Sequence, residues 1–324
     1  MNYGIPYKGS KNFISEKLLQ FLPSADTFVD LFCGGCSMTH AAIMSGRYKR
    51  FVVNDISPMG PTLFVDALSG KFRNERRWFS REDFFASDEP YVKFCWSFGN
   101  NCQDYLYSRK IELYKRACHY AIVFDEWSEL ASLCPEVVDA ARAALDRVAD
   151  THSRRLKFGP SIVKWLKANW NADMVEANPL YKSANRRGGH DHIFLQSLQS
   201  LESLERLQSL ECHSLPLLST SSLDYRKVHI PKNSVVYCDI PYKGTSGYLF
   251  SSPFFDYDDF YEWALSRPFP VYVSEYAMPD TFHEVASFAH RSRISSTKNK
   301  SVIEKLFCTK RVVQKTKLIT DDLW

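Results

Sequence analysis

The sequence predicts an α/β fold: a mixed, mostly parallel sheet interrupted by a long, largely helical segment. Three observations carry this. Short apolar runs rich in β-branched residues, Phe28-Val29, Phe51-Val52-Val53 and Val235-Val236-Tyr237-Cys238, read as buried strands. Each runs into an acid (Asp30, Asp55 and Asp239), at the strand ends where open α/β sheets bind ligands. Between the second and third strands the apolar spacing turns helical. With 324 residues the chain can hold one large or two modest domains and a real core. The expected division is a sheet domain from 1–64 and 215–324, with 65–214 inserted into it.

The elements follow in order. Pro6-Tyr7-Lys8-Gly9-Ser10-Lys11 is a Gly-Ser turn between two lysines before an amphipathic helix. It is either an ordinary capped helix start or a device that sets Tyr7 and Lys11 over a bound molecule. In Phe28-Val29-Asp30-Leu31-Phe32-Cys33-Gly34-Gly35-Cys36 a strand enters a glycine turn, and a helix is expected over 37–45. The glycines permit close approach of backbone to ligand, and the helix N-terminus favours polar or anionic groups. The segment is not Gly-x-Gly-x-x-Gly, which disfavours a dinucleotide fold. About twenty residues on, Phe51-Val52-Val53-Asn54-Asp55 ends in an acid, as in strands that bind ribose hydroxyls.

The middle is harder to read. Lys71, Arg73, Arg76, Arg77 and Arg81 interleave with Phe72, Trp78 and Phe79, a mixture of charge and aromatics that suits phosphate and base contacts. A solvated surface face is the competing reading. Helices are expected over 111–123, 127–149 and 161–168. His190-Asp191-His192 follows Arg186-Arg187-Gly188-Gly189 and reads as a polar loop, not a metal site. Leu195, Leu198, Leu201, Leu204, Leu207 and Leu210 recur at every third position. A helix of 3.6 residues per turn makes such a row drift around its surface. The favoured reading is a helix packing its leucines partly against the core, with a partner-binding segment as the alternative.

Asp239-Ile240-Pro241-Tyr242 is the most informative segment. An acid, a rigid backbone step and an aromatic ring stand at the end of a buried strand. The carboxylate suits an exocyclic NH2, a backbone carbonyl accepts a second hydrogen bond, and the aromatic suits a ring face. That chemistry holds an adenine taken out of a duplex. A strand merely entering a turn gives the same four residues, so the neighbouring segments matter. After it, a helix over 256–265 and a strand over 271–276 are expected. Ser274 and Glu275 either line the base pocket or cap the strand. A basic stretch, Ser296-Thr297-Lys298-Asn299-Lys300, precedes an apolar run over 302–307.

Together these segments resemble the DNA adenine-N6 methyltransferases of the Dam type, especially phage-type members. Tyr7-Lys8-Gly9-Ser10-Lys11 is similar to the family's N-terminal motif, and Phe28 to Gly35 to its S-adenosylmethionine motif. Asn54-Asp55-Ile56 resembles the ribose-binding acid, and Asp224-Tyr225 the pair bordering the cofactor's adenine. Asp239 to Tyr242 resembles the catalytic Asp-Pro-Pro-Tyr, with Ile240 in place of the first proline. Cys36 stands where many relatives have a third glycine. Trp96-Ser97-Phe98-Gly99-Asn100-Asn101 resembles a segment of phage-type relatives.

The resemblance implies a Rossmann-like S-adenosylmethionine-dependent methyltransferase domain with a mostly helical inserted recognition domain. It implies methyl transfer to adenine N6 in double-stranded DNA, of the kind found in restriction-modification or in phage. Asp239, Ile240, Pro241 and Tyr242 would be catalytic. Tyr7, Lys11, Asp30, Phe32, Cys33, Gly34, Gly35, Asp55, Ile56, Asp224, Tyr225 and Asp239 would bind the cofactor. Lys71, Arg73, Arg76, Arg77, Lys298 and Lys300 would touch DNA.

Composition sets outer limits. Net charge is +4, so this is no polycation, and its basic groups are clustered. Nine scattered cysteines, no secretory pattern and no apolar run of membrane-spanning length lead us to expect a reduced, cytoplasmic protein, bacterial or in a phage-infected cell. Cys33-Gly34-Gly35-Cys36 is formally a CxxC, but no second pair accompanies it, and no metal is expected. Three alternatives stay open: a decayed, DNA-binding member of the same fold, raised by Ile240; an RNA-adenine or cytosine-N4 acceptor, the latter disfavoured by Asp239; and, distantly, a nicotinamide-dependent dehydrogenase.

Overall fold

The computed structural model describes residues 3–184, 195–208, 217–243, 255–291, 301–311 and 317–320. They form two compact units: residues 1–69 with 207–324, and residues 70–206.

The first unit is built on an eight-stranded sheet of order β3-β2-β1-β4-β5-β7-β6-β8. The strands are β1 (Thr27–Asp30), β2 (Arg50–Asn54), β3 (Leu217–Ser221), β4 (Ser234–Cys238), β5 (Val271–Glu275), β6 (His283–Arg291), β7 (Ser301–Cys308) and β8 (Lys317–Thr320). β3, β2, β1, β4 and β5 are mutually parallel, while β7 is antiparallel to both β5 and β6. β1 and β4 are buried at nearly every position because helices cover parallel strands, which is why they read as unbroken apolar runs. Phe28 pairs with Phe51 on one side and Val235 on the other, so the C-terminal ends of β1, β2 and β4 lie side by side. The strand order reverses between β1 and β4, the switch point where doubly wound sheets open a crevice. Asp30 ends β1 and Asp239 follows β4, one on each side of it.

Helix α1 (Ser15–Leu19) precedes β1, α2 (Ser37–Met44) lies between β1 and β2, and α3 (Met59–Leu68) follows β2. Ile240 lies in the core with Val29, Leu31, Val236 and Phe260. It is 1 % exposed, so an apolar side chain occupies the position where the motif it resembles has proline.

The second unit is helical: α4 (Arg81–Ala86), α5 (Pro90–Cys95), α6 (Arg109–Phe124), α7 (Ser128–Leu133), α8 (Pro135–Leu145), α9 (Thr151–Ala168), α10 (Ala172–Ala177) and α11 (Pro179–Ala184). The helix expected over 127–149 is two helices, α7 and α8. Pro135 disfavours helical backbone at Cys134 (φ −145°, ψ 57°) and then serves as the first residue of α8. The helix expected over 161–168 is the second half of α9, which starts ten residues earlier at a cap, the Asp150 carboxylate accepting from the Ser153 N–H at 2.7 Å.

α12 (Gln196–Gln208) carries the leucine repeat and spans the boundary between the units. Leu195, Leu198, Leu201, Leu204 and Leu207 are all buried, as are Ser197 and Ser200. A three-residue step drifts about 60° per leucine, so burial of all five means that the helix is covered on most of its circumference. The packing is thus fuller than the partial contact expected. Leu210 and His190-Asp191-His192 lie outside the described residues.

Candidate active site

The glycine turn after β1 is held open by its own neighbours. Asp55 accepts from the Gly34 N–H at 2.9 Å and from the Ser57 N–H at 3.0 Å, one bond on each carboxylate oxygen. Burial pushes its carboxyl above the usual range. A Cβ on Gly60, in the first turn of α3, would stand 2.1 Å from the Gly34 carbonyl oxygen, so only glycine lets α3 approach. Tyr7 lies against Gly34 and Gly35; a Cβ on Gly35 would meet the Tyr7 Cβ at 2.4 Å. Cys36 caps α2 in the left-handed conformation (φ 56°, ψ 28°), which explains why glycine is the natural residue there. Asn54 ties three strand ends together: its amide donates to the Leu31 and Leu223 carbonyls, and its oxygen accepts from Ser221 and Leu223.

Asp30 is fully buried at the end of β1. Thr39 donates to one carboxylate oxygen at 2.7 Å, and the other has no hydrogen-bond partner. Burial, with Asp239 and Asp55 nearby, pushes its carboxyl up to about 7. An orphaned carboxylate oxygen beside a glycine turn suits a cationic, donor-rich group. Phe32 joins an aromatic group with Tyr225 (centroids 5.3 Å apart) and Phe255 (5.7 Å). Ile56 is exposed just past Asp55. Asp224 caps the short turn at Tyr225, accepting from the Arg226 N–H at 2.9 Å, and its carboxylate is also paired with the Arg226 guanidinium.

On the other side of the switch point stands a charged network. The Lys11 ammonium lies 2.8 Å from Asp239 and 3.5 Å from Glu304, and 4.5 Å from the centroid of the Tyr242 ring. The Tyr242 hydroxyl donates to Glu304 at 2.7 Å. Lys11 is placed by its own backbone N–H, which donates to Ser37 at 3.1 Å. Burial raises the Asp239 carboxyl above its ordinary range; Lys11 draws it down and Glu304 pushes it up. Tyr257 donates to the Pro241 carbonyl at 2.9 Å, and Glu275 accepts from the Lys243 and Tyr276 N–H groups at 3.3 and 2.7 Å. The loop after Asp239 is therefore pinned at both flanks. Burial pushes the Glu275 carboxyl up to about 7. The arrangement offers a partly exposed hydrogen-bond acceptor, while the Tyr242 ring beside it is buried, with Lys11 over it and Tyr276 edge-on at 4.6 Å.

Residues 7–123 match the family model of the D12 class N6 adenine-specific DNA methyltransferases. Over this span the chain is similar to the N6 adenine-specific DNA methyltransferases. No curated protein matches it. The family carries methyl transfer to adenine in DNA, and its members generally use S-adenosylmethionine. The binding-only, RNA and dehydrogenase alternatives gain nothing from the match. The matched span includes Tyr7, Lys11, the glycine turn and Asp55, continues through α6, and stops before Asp239.

In the second unit, the basic stretch is partly absorbed into structure. Phe72 stacks on Tyr91 at 5.0 Å and Trp78 on Tyr107 at 5.6 Å, so these rings serve the unit's interior. Arg76 pairs with Glu205 at 3.3 Å, and Arg77 pairs with Glu75 and with Glu89 at 3.5 Å. Lys71 and Arg73 are exposed. Lys298 and Lys300 lie outside the described residues.

Cys33 and Cys36 are buried with their thiols pushed up by burial, the opposite of a reactive pair. Among the described residues no group of three or more His, Cys, Asp or Glu is arranged to hold a metal ion, and no helix is long and apolar enough to cross a membrane.

Motif reading missed Glu304 and Gly60. The signal for Glu304 was alternation: Glu304, Leu306 and Cys308 share one face of β7 and all are buried, so a charge stands on an inward face. For Gly60 it was a glycine inside the first turn of a helix.

Proposed function

We propose that the chain methylates N6 of adenine in double-stranded DNA from S-adenosylmethionine, with the first unit as the catalytic domain and the second carrying target recognition. The observation that carries the reading is the crevice at the β1/β4 switch point. It has a glycine turn and the orphaned Asp30 oxygen on one side, and Asp239 with Tyr242 on the other.

The residues present fit the cofactor. Asp30 would hold its ammonium, Asp55 its ribose hydroxyls, and Phe32, Ile56 and Tyr225 its adenine, with Tyr7, Cys33, Gly34 and Gly35 forming the cradle. Asp224 is spent on Arg226 and contributes by fixing Tyr225. S-adenosylmethionine supplies a methyl group on a sulfonium, a leaving group good enough that no covalent protein intermediate is needed.

The adenine amine is a poor nucleophile because its lone pair is delocalised into the ring. Asp239 and the Ile240 carbonyl accept its two hydrogens and favour a pyramidal nitrogen with an available pair. Tyr242 stacks on the extruded base and offsets part of the unstacking cost, a few kcal/mol. Positioning and electrostatics then do most of the catalysis. Lys71, Arg73, Arg76 and Arg77, with Lys298 and Lys300, supply phosphate contacts.

The test is transfer of labelled methyl from S-adenosylmethionine to unmethylated bacterial DNA, followed by nucleoside analysis, with Asp239→Ala as control. N6-methyladenine made only by the wild type is the expected result. Retained activity in Asp239→Ala, with cofactor binding intact, would remove Asp239 from its assigned role.

A further inference from the structure

Glu304 is 4 % exposed and stands opposite Phe288 on the inward face of β7. A carboxylate in such a place requires compensation, because an isolated buried charge is strongly unfavourable. Two compensating groups are in reach: the Lys11 ammonium at 3.5 Å and the Tyr242 hydroxyl at 2.7 Å. Tyr242 is among the residues assigned to transfer, and Lys11 is bound to another of them, Asp239.

Lys11 itself poses a difficulty for the acceptor. Its ammonium lies 2.8 Å from an Asp239 oxygen and competes for lone pairs that the adenine amine must use. Lysine is a compact point charge on a flexible stem, without the fixed fork of arginine. An ammonium between two carboxylates can therefore pass from one toward the other at little electrostatic cost.

We infer that Glu304 is a positioning residue for methyl transfer. Its carboxylate provides the second station that draws Lys11 off Asp239 when the acceptor amine arrives, and it anchors the Tyr242 hydroxyl so that the ring keeps its stacking orientation. This rests on the reading of Asp239 as the acid that receives the amine.

Glu304→Gln separates the two duties, since the amide oxygen still accepts from Tyr242 while the negative charge is gone. Tyr242→Phe removes the hydroxyl's contacts with Glu304 and Asp239 and leaves the Glu304 charge in place. In single-turnover methylation, Glu304→Gln is expected to lower the transfer rate by about ten-fold or more, as misplaced reacting groups do. Cofactor affinity by calorimetry should stay within about two-fold, the scale of a remote uniform change. Tyr242→Phe should lose less, and Glu304→Asp, which keeps the charge, should recover part of the rate.

The acid limb of the rate profile gives an independent readout. Among the described residues, the groups facing Asp239 are Lys11, Glu304, Tyr242, Asp30, Glu275, Tyr276, Tyr237 and Cys238. Removing the negative charge of Glu304 should move that limb to lower pH. An unchanged rate with an unmoved limb in Glu304→Gln would overturn the inference. So would equal losses in the Gln and Asp variants together with lowered melting temperatures in both, since that pattern means a structural role. If the wild type methylates, Asp239→Ala is inactive and Glu304→Gln is normal, the inference alone fails. If Asp239→Ala remains active, the underlying reading fails with it.

Discussion

Each unit of the protein encloses a charged cluster, and the two are built differently. In the second unit Arg155 is bound in parallel by Glu202, at 2.6 and 2.7 Å, and His152 adds a contact to the same carboxylate at 2.9 Å. The guanidinium fork and the carboxylate match in shape, so the pair is fixed. In the first unit the Lys11 ammonium is shared between Asp239 and Glu304, and Asp239 keeps 21 % of its side chain exposed toward solvent. One cluster is a fixed pair that holds helices together, with His152 at its exposed edge. The other is open on one side and has an acid whose protonation is poised by opposing neighbours. Burial of charge is common to both clusters; a shareable partner and an open face distinguish the one at the candidate site.

That contrast can be broken most directly at its two acids and bases. Asp239→Asn keeps the shape and removes the charge; the transfer rate should fall by roughly 10²–10³-fold or more, the scale of losing one preorganised electrostatic contact. Cofactor binding and the unfolding midpoint should change little. Arg155→Met should do the reverse. It leaves the partly buried Glu202 without its guanidinium partner, and should cost about 3 kcal/mol in urea unfolding, while cofactor affinity measured below the transition is retained. If Arg155→Met proves neutral, the fixed pair is not the structural device described.

Gly60→Ala sharpens the picture on the cofactor side. The new methyl would meet the Gly34 carbonyl at 2.1 Å, so α3 or the glycine turn must shift. An overpacking cost of about 1–3 kcal/mol is expected, read chiefly as weaker cofactor affinity in calorimetry. Equal affinity in the variant would mean that the turn is looser than its packing implies.

The smallest expected effect concerns pH. Folding raises the Asp30 and Glu275 carboxyls to about 7 each, by burial. Between the ordinary carboxylate range and about 7 the native state thus holds protons that the unfolded chain has released. The stability contributed by the neutral acids is present at low pH and lost as pH rises through that window. Asp30→Asn should flatten this slope in thermal melts of the cofactor-free protein and raise the melting temperature near neutrality by roughly 2–4 °C. Cofactor affinity should fall in the same variant. An unaltered pH slope would show that Asp30 is ionised in the native protein.

Much of the architecture was legible in the chain. β1, β2, β4 and β5 were read from apolar β-branched runs, because strands covered on both faces need no polar alternation. Asp30, the glycine turn, Asp55 and Asp239 were read as strand-end residues, and the fold brings Asp30 and Asp239 to the two sides of one crevice. The reading was weaker where the physics is local only in appearance. The break at Pro135 lay inside a run of good helical spacing. The aromatics beside Arg76 and Arg77 suggested a surface for nucleic acid, yet Phe72 and Trp78 stack within the unit. Composition is the same for a base-stacking face and for an aromatic interior; only the partners distinguish them.

The sequence by itself determined the strand ends, the glycine turn and the acid-aromatic tetrapeptide, because each depends on residues near one another along the chain. Tertiary structure alone decided that Glu304 stands beside Lys11 and Tyr242, that Gly60 touches Gly34, and that Ile240 occupies a core position. These are contacts between elements far apart in sequence. They are set by sheet order and by which face of β7 turns inward, and no local pattern encodes the distance between two strands.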